Sequence, residues 1–281
     1  MDRIKRNERL GAMARILTET PNRIHTLNEF CDLFGSAKST ISEDVDLIAE
    51  SLQKNDLGRI ETVAGAAGGA RFRPVYSAGK CRSILSETAA LLSEPGRLLP
   101  GGFLYTSDIS SDPRVTEALG NILAALYYEK NPNLVLTMET KGIPFALMTA
   151  RALNVPLVIA RRDSKAYEGS AVKINYISGG DSERIETMAL SRRAVKPGQR
   201  ALIVDDFMKG GGTLQGMVDM MTEFQAEVVG IGVMISTVQP EVKRCRNARS
   251  LMLLRGSNRE NGSCDVVPNE ELFKTDFLPR G

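Results

Sequence analysis

Apolar residues in the first fifty positions recur with a helical period. Leu10, Met13, Ala14 and Leu17 fall at i, i+3, i+4 and i+7, so the spacing predicts an amphipathic helix over residues 3–18, ended by Pro21-Asn22. Thr26 is placed to cap a short second helix, Leu27 to Phe34, with Glu29 in capping-box position. Gly35 then supplies a turn, Ser36 a cap, and a third helix buries Ile41, Val45, Ile48 and Leu52 on one face. Beyond it the period drops to two. Arg59 to Val63 and Arg71 to Val75 alternate across an Ala/Gly-rich link, which predicts a β-hairpin.

From residue 102 the grammar changes. Phe103 to Tyr105, Leu134 to Met138, Pro156 to Ala160, Ala201 to Val204 and Val228 to Ile235 are short apolar runs. Helical stretches (Val115 to Glu129, Pro144 to Leu153, Leu214 to Phe224) separate most of them. Apolar strands alternating with helices predict an α/β fold whose parallel sheet is covered on both faces, with ligands at the carboxyl ends of the strands. The expected division is 1–75 and 76–281.

Composition narrows the classes. With 281 residues, 42% hydrophobic and 25% charged, the chain has a globular composition, which argues against disorder and fibrous repeats. No stretch approaches the ~20 apolar residues of a membrane-spanning helix, and the charged N-terminus has no apolar region behind it, so a cytoplasmic protein without membrane attachment is expected. Cys31, Cys81, Cys245 and Cys264 include no C-x-x-C and read as reduced thiols. The single histidine, His25, reads as a surface residue near a helix start. One histidine far from every glycine-rich motif argues against a Ser-His-Asp triad and against a multi-histidine metal site. No redox cofactor or metal ligand set is expected.

Helix, glycine turn and helix followed by a hairpin is a winged helix-turn-helix layout. The third helix would present Lys38, Ser39, Thr40 and Ser42 in its first turns, where such motifs reach base edges. Net charge is uninformative, at +2 for the chain and zero for residues 1–75. Clustering carries more. Arg3, Lys5, Arg6 and Arg9 crowd the first helix, and Arg71 and Arg73 mark the wing, where they could neutralise phosphates. A small dimerisation or capping domain is the bland alternative.

The run from Ala201 through Asp205, Asp206, Phe207, Met208, Lys209, Gly210, Gly211, Gly212 and Thr213 is the most informative text. A buried strand ends in two carboxylates, and three glycines and a threonine then enter a helix. Successive amides in such a turn form an anion nest reinforced by the helix N-terminus. Two acids beside a phosphate nest would repel the phosphate, so they face vicinal hydroxyls or a water-held metal. A phosphorylated sugar with a cis-diol satisfies both. The Gly-x4-Gly-Lys-Ser/Thr loop of nucleotide triphosphatases is absent, and G-x-G-x-x-G does not follow the first strand.

This segment resembles the phosphoribosyl pyrophosphate (PRPP) motif of type I phosphoribosyltransferases, with Gly210 standing where many of those enzymes carry Thr or Ser. The resemblance assigns Asp205 and Asp206 to the ribose hydroxyls and residues 209–213 to the 5′-phosphate. Thr140, Lys141 and Gly142 resemble the family's pyrophosphate loop. Arg161, Arg162 and Lys165 open what resembles its mobile hood. With Lys38-Ser39-Thr40, Leu99-Pro100-Gly101-Gly102 and Ile174-Asn175-Tyr176, the whole chain resembles the purine operon repressors of Gram-positive bacteria. The resemblance implies a winged-helix domain followed by a phosphoribosyltransferase-like domain without catalysis. It implies a homodimer on double-stranded operator DNA, relieved by PRPP as effector, with Mg²⁺ as a candidate companion and guanosine tetraphosphate as competitor. Tyr105 and Phe207 would flank the nucleotide ring, with core packing as the alternative for each. Two rivals stand beside it: an active purine phosphoribosyltransferase with an accessory oligomerisation domain, and an RNA-binding relative. The helix-turn-helix argues against RNA, whose A-form major groove is too narrow to read. Residues 241–281 receive no role; Arg255-Gly256-Ser257-Asn258 reads as a turn.

Overall fold

The N-terminal unit is built on the helical period of its first fifty residues. In the computed structural model, which describes residues 4–65, 68–100, 102–163, 169–179, 184–258 and 262–274, α1 (Arg6–Glu19) is followed by β1 (His25–Thr26), α2 (Leu27–Phe34) and α3 (Lys38–Lys54). The hairpin β2 (Arg59–Val63) and β3 (Gly69–Arg73) completes an antiparallel sheet of order β1-β3-β2. Met13, Leu17, Phe30, Ile41, Val45 and Ile48 meet Ala70 and Phe72 in one core.

Thr26 caps α2 by accepting from the Glu29 amide, and Gly35 closes the helix at φ 60°. Two expectations are corrected. Ala37, not Ser36, is the N-cap of α3, because the Ser36 hydroxyl turns back to donate to the Phe34 carbonyl at 3.3 Å. His25 is buried, not superficial. Its strand pairs with β3, and its ring is held by Thr20 Oγ1 at 2.7 Å and Glu29 at 3.3 Å.

The rest of the chain runs α4 (Ala78–Leu92), β4 (Leu98–Leu99), β5 (Phe103–Leu104), α5 (Ser107–Ser111), α6 (Pro113–Ala125), β6 (Leu134–Met138), α7 (Ile143–Leu153) and β7 (Leu157–Ala160). The hairpin β8 (Ala171–Ser178) and β9 (Arg184–Ser191) follows, then β10 (Arg200–Met208), α8 (Gly212–Glu223), β11 (Glu227–Thr237), β12 (Arg249–Asn258) and β13 (Ser263–Pro268). The main sheet has order β13-β12-β11-β10-β6-β7 and is parallel except at β13. Side chains of β10 alternate between its faces. Leu202 and Val204 join a core with α4, α6 and α7, whereas Ala201 and Ile203 join one with α8 and the hairpin. Among the described residues no helix is long and apolar enough to cross a membrane.

Three readings change here. Residues 103–105 do not enter the main sheet; β5 pairs with β4 in a separate hairpin. Helix α4 was not anticipated, although Cys81, Leu85, Thr88 and Leu92 lie at helical spacing along its buried side. Arg255 to Asn258 is no turn but the end of β12, because β13 returns antiparallel beside it.

The two units are joined by specific bonds. Arg73 Nη1 donates to Glu61 at 2.8 Å and to Glu129 at 3.0 Å, and its guanidinium lies 4.5 Å from the Tyr128 ring centre. Asn22 Nδ2 donates to the carbonyl of Leu153, at the end of α7, at 2.9 Å. Within the N-terminal unit, Arg9 and Arg6 converge on the fully buried carboxylate of Asp44. Removing one member of such a pair strands a buried charge. Asp44→Ala is expected to cost the N-terminal unit about 3–5 kcal/mol, and Asp44→Leu with Arg9→Met to recover most of it; urea unfolding followed by circular dichroism measures both.

Candidate functional site

Strand β10 runs between β6 and β11 and delivers its carboxyl end into a crowded corner. Gly211 takes φ 79° as the N-cap of α8, and Gly212 is the helix's first residue. The first amides of α8 have no carbonyl partner inside the helix and point at whatever lies before it. Gly212 is required by close approach, since a Cβ there would fall 1.8 Å from the Ile177 carbonyl oxygen of β8. The loop is held from outside by a segment to which the sequence reading gave no role. Lys243 Nζ donates to the Lys209 carbonyl at 2.7 Å, to that of Pro240 at 3.1 Å and to Thr237 Oγ1 at 3.3 Å. The Arg244 amide donates to the Gly210 carbonyl at 2.9 Å. The carbonyls of residues 209 and 210 thus both accept from the segment that follows β11.

Asp205 is buried, and the Asp206 amide donates to its Oδ1 at 2.9 Å. Burial pushes the Asp205 carboxyl well above the usual carboxylate range, and the neighbouring Asp206 charge adds to it. Asp206 is raised less. Burial lifts it, while a hydrogen bond from Asp205 and the Lys141 ammonium pull it back. The loop before α7 packs directly on the acids. A Cβ at Gly142 would lie 2.8 Å from Thr137 Oγ1 and 2.9 Å from Asp205 Oδ1, and the Thr137 hydroxyl is fully buried with no hydrogen-bond partner among the described residues.

Phosphate-binding candidates differ in exposure and in their partners. Lys141 is exposed beside Asp206. Arg162 is exposed, and its amide donates to Glu139 at 2.8 Å. Arg161 pairs with the same carboxylate at 3.3 Å, which offsets part of its charge. Lys165 lies outside the described residues. The side chain of Thr213 meets the Tyr176 hydroxyl, which donates to Glu186 at 2.7 Å; burial and that carboxylate push the phenol up to about 12. Met208 is corrected: its side chain is buried in the α8-facing core and turned from any ligand. Phe207 is half-buried against the opposite core, while Tyr105 is 39% exposed with the Arg97 guanidinium 5.9 Å from its ring centre. Among the described residues no group of three or more His, Cys, Asp or Glu could hold a metal ion.

On the N-terminal unit Lys38, Ser39 and Ser42 are exposed in the first turns of α3, with Thr40 half-buried. Lys5 is exposed, and Arg6 is exposed while bound to Asp44. Arg71 is partly exposed and paired with Glu61 at 2.9 Å. Arg3 lies outside the described residues. Arg9 and Arg73 are corrected as phosphate contacts. Both are buried, the first by the Asp44 carboxylate and the second by Glu61, Glu129 and Tyr128.

Known proteins match both halves. A family model described as the N-terminal part of the bacterial purine repressor matches residues 5–74, and the phosphoribosyl transferase domain matches residues 107–260. The purine biosynthesis transcriptional repressor of Bacillus subtilis (strain 168) is 38% identical over 281 residues, covering 99% of this chain and 98% of the relative. The purine biosynthesis transcriptional activator of Lactococcus lactis subsp. lactis is 40% identical over 263 residues, covering 94% and 97%. Among solved structures, adenine phosphoribosyltransferase from Thermoanaerobacter pseudethanolicus superposes with a TM-score of 0.52 at 20% identity, covering 59% of this chain and 98% of that one. That last likeness concerns the fold alone.

The acid pair has a consequence for stability. Folding raises the Asp205 pKa, so the protein folds most readily with this group protonated, and the ionised form opposes folding. The penalty is absent below the ordinary carboxylate range near about pH 4 and grows as pH rises. Asp205→Asn is expected to match the parent in acid and to exceed it by on the order of 1 kcal/mol at pH 8. Urea denaturation at a series of pH values reads the difference.

Proposed function

The chain belongs to the bacterial family of purine biosynthesis transcriptional regulators, and from that premise we propose that it represses its genes as a PRPP-released DNA-binding homodimer. The observation that carries the effector reading is the corner where buried Asp205 and half-buried Asp206 adjoin the Gly211-Gly212 entry to α8. Buried carboxylates want hydrogen-bond donors, and a ribose cis-diol supplies two. The α8 amides with Thr213 take the 5′-phosphate. Lys141, Thr140, Gly142, Arg161 and Arg162 take the pyrophosphate, where charge-assisted bonds are strongest. Mg²⁺ fits as part of the ligand, since it binds through one or two carboxylates plus substrate phosphates. Guanosine tetraphosphate would compete there, its ring against Phe207 or Tyr105.

On the DNA side, Lys38, Ser39, Thr40 and Ser42 read bases, with Lys5 and Arg6 on the backbone. A homodimer sets two such helices one helical turn, or a multiple of it, apart. The two ends of α7 supply the coupling. Its N-terminus packs on Asp205 through Gly142, and its last carbonyl accepts from Asn22 of the winged unit. Eleven residues make a rod of about 16 Å touching both modules. Effector that repositions the Gly142 loop would thereby shift the winged unit.

A working enzyme is the competing reading that the phosphoribosyl transferase domain match favours. Incubation with PRPP, Mg²⁺ and each purine base, watched for nucleotide, separates the two. For the regulator, PRPP is expected to weaken operator binding roughly 5–150-fold, the common range of coupling between two sites. Asn22→Ala is expected to keep both affinities and shrink that ratio, and Lys38→Ala to weaken operator binding alone. Fluorescence anisotropy at one salt concentration checks all three, and an unchanged operator affinity under saturating PRPP would sink the proposal.

A further inference from the structure

Strands β11 and β12 are parallel neighbours, so the chain between them must cross from the carboxyl edge of the sheet to its amino edge. On the way it passes the glycine loop, where Cys245 lies against Gly211. It then turns through Asn247 at φ 63° and borders a cleft of about 580 Å³ at the amino ends of β11 and β12, which extends along the crossing segment to Arg244 and Cys245 beside the glycine loop. Its strand residues lie at the end of the sheet away from Asp205 and Asp206.

Two features make this cleft a formed one. Strand β11 carries a bulge: Ala201 pairs with Val228 and Leu202 with Gly230, leaving Val229 without a partner on β10. Bulges in parallel sheets are rare and gather where a strand is re-aimed for a purpose. Gly230 then lets the Tyr127 ring sit against the strand, since a Cβ there would fall 2.2 Å from it; the Tyr127 hydroxyl is fixed on the Ile231 carbonyl at 2.7 Å. The floor is aliphatic and aromatic.

The rim is cationic. Lys130, Arg244, Arg246 and Arg249 border the cleft, and no Asp or Glu is among its described lining residues. Such a one-signed rim over a low-dielectric floor concentrates anions, and arginine forks suit phosphate oxygens. A volume of this size is in the range of small-molecule sites and larger than a bare phosphate needs. We propose that the cleft is a second anion site, taking a nucleoside polyphosphate with its phosphates on Arg246 and Lys130 and its nucleoside against Val218 and Val228. It stands independently of what binds at the paired acids.

ATP is a suitable probe, titrated calorimetrically into the full-length protein. One ATP-binding event is expected to persist in Asp205→Asn and to weaken at least tenfold in Lys130→Glu with Arg246→Glu, both exposed and neither assigned to the effector. Adenosine should not bind at this site, and tripolyphosphate should bind more weakly than ATP. An isotherm unchanged by the double charge reversal overturns the site, including the case in which that variant instead alters the sedimenting species and so marks a contact between copies. Loss of all ATP binding in Asp205→Asn overturns it as well. Tripolyphosphate binding as tightly as ATP overturns the nucleoside assignment.

Discussion

A buried and a half-buried carboxylate, adjacent at the end of a central strand, are the condition around which the C-terminal unit is arranged. Isolated ionised groups in such surroundings are costly, and like charges side by side cannot both ionise cheaply. The fold answers with pKa values raised at both acids, the Asp206 amide on Oδ1 of Asp205, and Lys141 beside Asp206. The N-terminus of α7 arrives at Gly142 immediately over Asp205, where the helix's partial positive charge is also favourable. Beside them the buried Thr137 hydroxyl, 2.8 Å from where a Cβ on Gly142 would stand, has no hydrogen-bond partner among the described residues.

The same corner explains why side chains are missing where they are. Gly212 gives way to the β8 backbone and Gly142 to the acids, so two mobile-looking glycines are in fact places where other elements pass. Lys243, whose ammonium is drawn below its ordinary pKa by burial, spends its donors on three oxygens around the loop instead of facing solvent. It acts through the Lys209 carbonyl and holds the glycine loop in place.

What could be read from sequence follows from how local each cause is. The helical period of α1 and α3, the apolar strands β6, β7, β10 and β11, and the Asp-Asp to Gly-Thr loop are each fixed by neighbours in the chain. Arg9 and Arg73 misled because a basic residue on a strand or helix looks the same whether it meets DNA or Asp44 and Glu129, partners 35 and 56 residues away. Met208 misled for a related reason. It sits inside the motif, yet strand alternation turns its side chain into the core while the backbone continues to the loop. Lys243 gave no local signal at all, since its role exists only once β11 has carried the chain back past residue 209.

Burial of Arg9 and Arg73 changes the electrostatic picture of the winged unit in a definite direction. With both guanidiniums neutralised by carboxylates, and Arg71 paired to Glu61, the wing's cations serve the sheet and the joint with Glu129. Among the described residues of this unit the exposed cations are Lys5, Arg6, Arg15, Arg23, Lys38 and Lys54, of which Arg6 is held by Asp44 and Glu43 and Arg15 by Glu19. A DNA-facing surface whose cations are partly paired gains less from non-specific phosphate contact, because each neutralised phosphate contributes separately to affinity and to its salt dependence. Sequence-specific contacts from the first turns of α3 then have to supply the rest.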